Sequence, residues 1–116
     1  MLIEGTVQID RSNEATSLLN LAKAALYSGN HNEAYSYANR ALEIDHQLSQ
    51  AWQYKGEAAG WLSTMSDFRT QEMLSAFKTA WDLCPEGERV ELRLYCASAI
   101  NRIAVWYYNA SCDCIS

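Results

Sequence analysis

Apolar residues recur along most of the chain at spacings of three and four positions, which places them on one face of an α-helix. The first set begins after Ser12 or Asn13, either of which can cap a helix, and it ends at Ser28, because Gly29-Asn30 can take the left-handed conformation that stops a helix. The pattern predicts a first helix over residues 12–28 and leaves residues 1–11 as an N-terminal extension.

Four further sets follow and predict helices over residues 32–45, 51–62, 67–83 and 88–109. The link after the first helix is so short that the first two helices must form an antiparallel pair. Asp67 is the expected cap of the fourth helix, and Pro85 disfavours helical geometry at Cys84. The end of the chain after Asn109 is expected to be frayed. The sequence therefore predicts an all-α fold of about five helices in a single domain spanning residues 1–116.

Composition and charge narrow the class of protein. Hydrophobic residues make up 49% of the chain and charged residues 20%, which is typical of a globular domain. The formal net charge of −5 and the lack of a Lys/Arg cluster argue against nucleic acid as a partner. No apolar run reaches the ~18 residues of a spanning helix, and the first ten residues do not resemble a secretory signal, so we expect no membrane partner and a cytoplasmic location.

An internal repeat is visible at a period of 34 residues, since Leu18 recurs as Trp52, Ala22 as Gly56 and Ala25 as Ala59. Residues 18–45 resemble a tetratricopeptide repeat, and small residues stand at the family's packing positions. These are Ala22, Gly29, Ala34, Ala38 and Ala41.

The second copy is similar to the same family but irregular. It carries the family's aromatic, small and closing residues at Trp52, Gly56, Phe77, Ala80 and Pro85. Ala41 and Ala80 are 39 positions apart, which indicates an insertion of five residues around 64–68. Met73 and His46 also depart from the pattern. We assign residues 12–46 to a first repeat, 47–85 to a second repeat and 86–110 to a C-terminal helix.

The resemblance implies that the helix pairs stack as a short right-handed superhelix whose first helices line a concave groove. It further implies a protein-protein interaction module that binds a peptide or helix of a partner there. The expected groove residues are Asn20, Lys23, Tyr27, Gln53, Tyr54, Glu57, Trp61 and Arg93, with Leu19, Leu26 and Gly60 on the same side. Two alternatives remain open, namely that the aromatics belong to the core and that the chain is a small regulatory or inhibitory domain that senses a peptide.

Some relatives of this kind clamp the carboxylate at a chaperone tail, and this chain keeps little of that clamp. Leu19 stands where a required donor would be, whereas Arg89 and Arg93 keep the needed charge. A chaperone-tail clamp is therefore the less favoured version of peptide binding.

The fifth predicted helix is apolar over most of its circumference, although the last helix of a solenoid should offer water a polar face. Two copies could pair as a homodimer through Val105, Trp106, Tyr107 and Tyr108. Alternatively, the next helix of a longer repeat protein covers this surface, or the helix folds over its own core.

The sequence offers little catalytic or metal chemistry, so we expect no enzyme activity, cofactor or metal. His31 and His46 are predicted to lie at the surface without nearby ligands, and Cys96 is predicted to lie in the core. Cys112 and Cys114 alone supply too few ligands for a closed metal site. The glutamates at positions 86, 88 and 91 are explained by the favourable charge at a helix N-terminus.

Overall fold

The computed structural model describes residues 2–63 and 69–115, and within these ranges it contains five α-helices and no strand. The all-α prediction is therefore confirmed. The helices are α1 (Leu2–Ser28), α2 (His31–Ile44), α3 (Ser49–Trp61), α4 (Thr70–Leu83) and α5 (Arg89–Ile115), and one 3-10 turn (Glu86–Glu88) precedes α5.

The two outer helices are longer than predicted. The backbone is helical from Leu2, so the predicted start of the first helix at Ser12 or Asn13 is wrong. α5 likewise continues to Ile115, so the predicted frayed tail is wrong. Apolar periodicity marks only the part of a helix that packs on a neighbour. A helix that has formed gains a hydrogen bond for each residue it adds, so it can extend beyond that part.

The start of α4 also differs, since the helix begins at Thr70 after Arg69. The predicted cap Asp67 and the insertion at residues 64–68 lie outside the described residues.

The turn between α1 and α2 depends on Gly29, whose φ of 82° is in the left-handed region that favours glycine. The amide of Asn30 then donates back to the carbonyl of Ala25 at 2.8 Å. These features end α1 at Ser28 as predicted and return the chain as an antiparallel partner.

Small residues let the helices approach closely. Among α1, α2 and α3, the core is formed around Leu18 by alanines without exposed surface, which are Ala22, Ala38, Ala41 and Ala51. Between α3 and α4, a Cβ atom on Gly56 would lie 2.8 Å from the ring of Phe77. The Ser49 hydroxyl donates to the carbonyl of Ala80 at 2.8 Å and fixes the same pair of helices.

α5 packs on α3 and α4 with one of its faces. Leu92, Ala99 and Ile103 are buried there, and Met73 and Phe77 of α4 belong to the same apolar cluster as Ala99 and Ile103. Across the described ranges, no helix is both long and apolar enough to cross a membrane. The packing leaves α1, α3 and α5 bordering a common space.

Candidate functional site

A cavity of about 320 Å³ opens between α1, α3 and α5, and we call it the cleft. It is lined by side chains from all three helices, namely Lys23, Leu26, Tyr27, Gln53, Tyr54, Glu57, Tyr95 and Arg102. Six of the residues predicted on the groove side thus come together, which are Lys23, Leu26, Tyr27, Gln53, Tyr54 and Glu57.

Helical spacing explains why α1 and α3 supply these side chains. Lys23 and Tyr27 are four residues apart, as are Gln53 and Glu57, and residues at that spacing lie one above the other on a helix face. The opposite faces of α1 and α3 carry the small residues that pack on α2 and α4. The cleft faces of both helices therefore stay open.

Glu57 is the buried charged group of the cleft, with only 4% of its surface exposed. Its Oε1 atom accepts a hydrogen bond from the Tyr95 hydroxyl, and its Oε2 atom accepts one from the Trp61 indole at 3.4 Å. The guanidinium of Arg102 lies 3.6 Å from Oε2. A buried carboxylate needs such partners, and together they fix the carboxylate in place.

Tyrosines form one wall of the cleft. The rings of Tyr54 and Tyr95 meet edge to face with their centroids 6.5 Å apart. Burial raises the pKa of Tyr95, and its hydrogen bond to Glu57 raises it further; burial likewise raises the pKa of Tyr54. Both phenols therefore stay protonated at neutral pH, and Tyr95 remains a donor to Glu57.

The rim of the cleft is exposed and carries both apolar and cationic groups. Tyr27 is 84% exposed, and Lys23 and Arg102 are also exposed. Glu57 already has three partners within the protein, whereas the rim offers the exposed ring of Tyr27 and the cationic side chain of Lys23. This combination can contact a ligand with both apolar and polar parts.

Several predicted groove residues do not line the cleft. Asn20 and Arg93 are exposed on α1 and α5 outside it. Trp61 turns away and is held by the imidazole of His31, stacked at 5.3 Å between centroids, and by Trp106, edge to face at 6.1 Å. Trp61 therefore reaches the site only through its hydrogen bond to Glu57.

Two further residues that we placed on the groove side are packed inside the protein. Leu19 is buried in the core with α2 and α3. Gly60 faces α4 and α5, since a Cβ atom there would lie 2.5 Å from the Met73 sulfur.

The stack on Trp61 corrects the prediction that His31 is a surface residue. His31 is half-buried, and burial lowers the pKa of its imidazole while the negative charge of Glu57 acts in the opposite direction. His46 is exposed, as predicted. Sequence periodicity did not show the His31 contact, because His31 lies on α2 and Trp61 at the far end of α3.

Tyr95 and Arg102 are cleft residues that the sequence analysis missed. They lie seven residues apart on α5, so two turns of helix bring both to one side. That spacing was visible in the sequence, but the packing of α5 on α3 is a long-range contact that no local pattern specifies. The repeat pattern pointed instead to Arg93.

A second polar cluster joins α2 to α4. The Tyr35 hydroxyl donates to Glu72, and the Nε atom of Arg69 donates to the same carboxylate at 3.0 Å. The Arg69 guanidinium also lies over the Tyr35 ring, 4.7 Å from its centroid. The groups of this cluster are bonded to one another, so we assign it a structural role.

The residues at the proposed self-association surface are divided between two environments. Tyr107 is half-buried beside Met73 and Ile103, and Trp106 contacts Trp61 and Tyr107. Val105 and Tyr108 are exposed, at 50% and 70%. Part of this predicted surface therefore packs on its own chain.

Metal-binding groups do not cluster in the part of the chain that is described, where no three His, Cys, Asp or Glu side chains are placed to hold an ion. Cys96 is half-buried rather than fully in the core, and burial raises the pKa of its thiol to about 11. The side chains of Cys112 and Cys114 lie outside the described part.

Comparison with known proteins yields no relative for this chain. No family model, no curated protein and no solved structure matches it. The resemblance to tetratricopeptide repeats consequently rests on the repeat residues of the sequence alone and stays a prediction. Function has to be argued from the cleft itself.

Proposed function

We propose that this chain is a protein-binding module of tetratricopeptide-like architecture that holds a short segment of a partner polypeptide in the cleft. The observation that carries the proposal is the convergence on one cavity of polar and aromatic side chains from two successive first helices and α5. A mixture of tyrosines and polar groups is typical of surfaces that bind polypeptides.

The chemistry of the lining indicates the kind of segment that fits. The amide of Gln53 can donate to and accept from a peptide backbone, and Tyr27 offers an exposed ring to an apolar side chain. Lys23 provides a positive charge at the rim. We therefore propose a ligand with an aliphatic or aromatic side chain next to an acidic residue.

The architecture supports the same proposal. α1 with α2 and α3 with α4 are antiparallel pairs joined by small residues, as in tetratricopeptide repeats, and the cleft lies on the side of α1 and α3. The right-handed superhelix is part of the proposal. So is a cytoplasmic location, which is supported by the free thiols of Cys84 and Cys96.

Panning a phage-displayed library of random peptides against the immobilised chain tests the proposal. The Kd of each enriched peptide is then measured by isothermal titration calorimetry. We expect the double variant Lys23→Glu, Tyr27→Ala to bind at least about tenfold more weakly, because it removes the rim charge and the aromatic contact.

The matched control is Arg40→Glu, which makes the same charge reversal at an exposed residue of α2 away from the cleft. Circular dichroism of all variants confirms that helix content is unchanged. Failure of the library to enrich any sequence, or equal loss of affinity in the control, would overturn peptide binding in the cleft.

A further inference from the structure

The face of α5 turned away from α3 and α4 is exposed and almost entirely apolar. At 100° of rotation per residue, this face lies opposite the buried Ala99 and Ile103. It consists of six exposed residues, which we call the α5 stripe: Val90, Leu94, Ala97, Asn101, Ala104 and Tyr108. Ala104 lies at the edge of the stripe and also borders residues of α3 and α4. Its largest members are open to solvent, since Val90 is 60%, Leu94 65% and Tyr108 70% exposed.

The spacing of the α5 stripe points to a second helix as its partner. Successive members are separated alternately by four and three residues, which is the spacing of the core positions of a coiled coil. None of the six is charged, whereas a helix face that stays in water carries charged and polar residues. The nearest charges, Glu91 and Arg93, are of opposite sign and lie beside the stripe.

We propose that the α5 stripe pairs with the α5 stripe of a second copy of this chain. Asn101 favours a second copy over another apolar helix, because an apolar partner would bury the Asn101 amide without a hydrogen bond. A second copy in register supplies another asparagine opposite, and a single asparagine at a core position is a device that fixes register and pairs two strands. The small Ala97 and Ala104 on either side allow the two helices to approach.

Charge and area are consistent with this partner. Although each copy carries a net charge of −5, the stripe itself is neutral, so the two faces meet without like charges between them. If all six exposed members of each stripe are covered, the two stripes bury on the order of 1,000 Å² together, at the lower limit of specific interfaces. We therefore expect a dimer that dissociates in the micromolar range.

This interface goes beyond the cleft and is separate from it. Tyr95 and Arg102, which line the cleft, lie on a different side of α5 from the stripe. The dimer would thus leave both clefts open and present two peptide sites in one particle. The proposed interface extends along α5 and shares only Tyr108 with the self-association surface predicted from the sequence.

Sedimentation equilibrium under reducing conditions tests the proposal from about 1 to 200 µM, a range that brackets the affinity of a small interface. We expect the wild-type chain to dimerise and Leu94→Lys to remain monomeric throughout. The control is Leu74→Lys, the same change at an exposed leucine of α4, which should dimerise like the wild type. A monomeric wild type, or a dimer that survives Leu94→Lys, would overturn the proposal.

Cysteine crosslinking tests the register. In a chain with Cys112→Ser and Cys114→Ser, Ala97→Cys keeps Asn101 and should form a disulfide-linked dimer on mild oxidation, because opposite core positions lie within disulfide reach. Ser98→Cys, at an exposed position beside the stripe, should crosslink far less. Equal crosslinking of both variants would contradict the in-register pairing of the two stripes.

Discussion

The phenol of Tyr95 donates a hydrogen bond to the carboxylate of Glu57 and thereby joins α5 to α3 beside the cleft. The acceptor is almost fully buried, so water cannot replace the donor if the donor is lost. This bond therefore contributes both to the stability of the fold and to the position of the charged group in the proposed binding site.

Removal of the Tyr95 hydroxyl is the first test of this relationship. We expect Tyr95→Phe to lower the free energy of unfolding by about 1–3 kcal/mol, because it leaves a buried acceptor short of a partner. Urea unfolding followed by circular dichroism measures the change. Tyr27→Phe removes the same atom from an 84% exposed tyrosine. Its free energy of unfolding should therefore stay within about 0.5 kcal/mol of the wild-type value. Equal effects of the two substitutions would contradict the role given to Tyr95.

The close contact of α3 with α4 predicts that Gly56 cannot be enlarged without cost. A Cβ atom at this position would lie 2.8 Å from the Phe77 ring and 3.1 Å from the Met73 carbonyl oxygen, and backbone cannot move aside easily. We expect Gly56→Ala to destabilise the protein by about 1–3 kcal/mol.

The control for this substitution is Gly87→Ala. Nothing lies within 4 Å of a Cβ atom there, so the change should be neutral or stabilising by up to about 1 kcal/mol. Thermal unfolding of the two variants side by side makes the comparison. A neutral Gly56→Ala would show that the helices are farther apart than described.

Stability should depend on pH through His31. Burial beside Trp61 holds the pKa of His31 below its ordinary value of 6.5, although Glu57 opposes this shift. The unfolded chain therefore binds a proton more readily than the folded chain, and the free energy of unfolding falls as the pH drops through 6.5 toward the lowered pKa. The stability that is lost as His31 takes up a proton is fully present at pH values above this range.

Urea midpoints measured between about pH 7.5 and 5 check this dependence, because the window lies around the ordinary histidine pKa. We expect the urea midpoint of His31→Gln to fall less than that of the wild type as the pH is lowered through this range. His46→Gln, at an exposed histidine, should keep the wild-type slope. If both variants behave alike, the stack on Trp61 does not perturb His31.

The thiol of Cys96 should be unreactive in the folded protein. Burial raises its pKa to about 11, with further contributions from Glu57 and Cys84, so little thiolate is present near neutral pH. We expect alkylation of Cys96 by iodoacetamide at about pH 8 to be at least tenfold slower than in the urea-unfolded chain. Timed labelling followed by peptide mass spectrometry gives both rates. Equal rates would mean that Cys96 is open to solvent.

Much of the helical framework could be predicted from the sequence, because apolar spacing directly reports which face of a helix is buried. The end of α1 was predicted correctly because Gly29 has one clear conformational role. The outer parts of α1 and α5 could not be found in this way, since residues 2–11 show no apolar periodicity and α5 has two apolar faces. Apolar spacing reports which face of a helix is buried. It does not show where α1 begins or where α5 ends.

The cleft was only partly predictable for a related reason. Lys23, Tyr27 and Glu57 follow from the repeat, which places residues of α1 and α3 on a common side. Tyr95 depends on how α5 packs against α3, and that packing is decided by the burial of Ala99 and Ile103 in three dimensions. Local sequence carries no information on this register, so the repeat pattern placed Arg93 in the groove and did not identify Tyr95 as a cleft residue.

Packing between helices adjacent in sequence has a consequence for how this chain forms. α1 to α4 each contact mainly the helix before or after them, and contacts of this local kind allow folding within milliseconds or less. α5 instead reaches back past α4 to α3, so it can dock only when both helices are in place. During synthesis on the ribosome, α1 to α4 can assemble while α5 is still being made, and the emerging chain has no complete cleft until α5 is present.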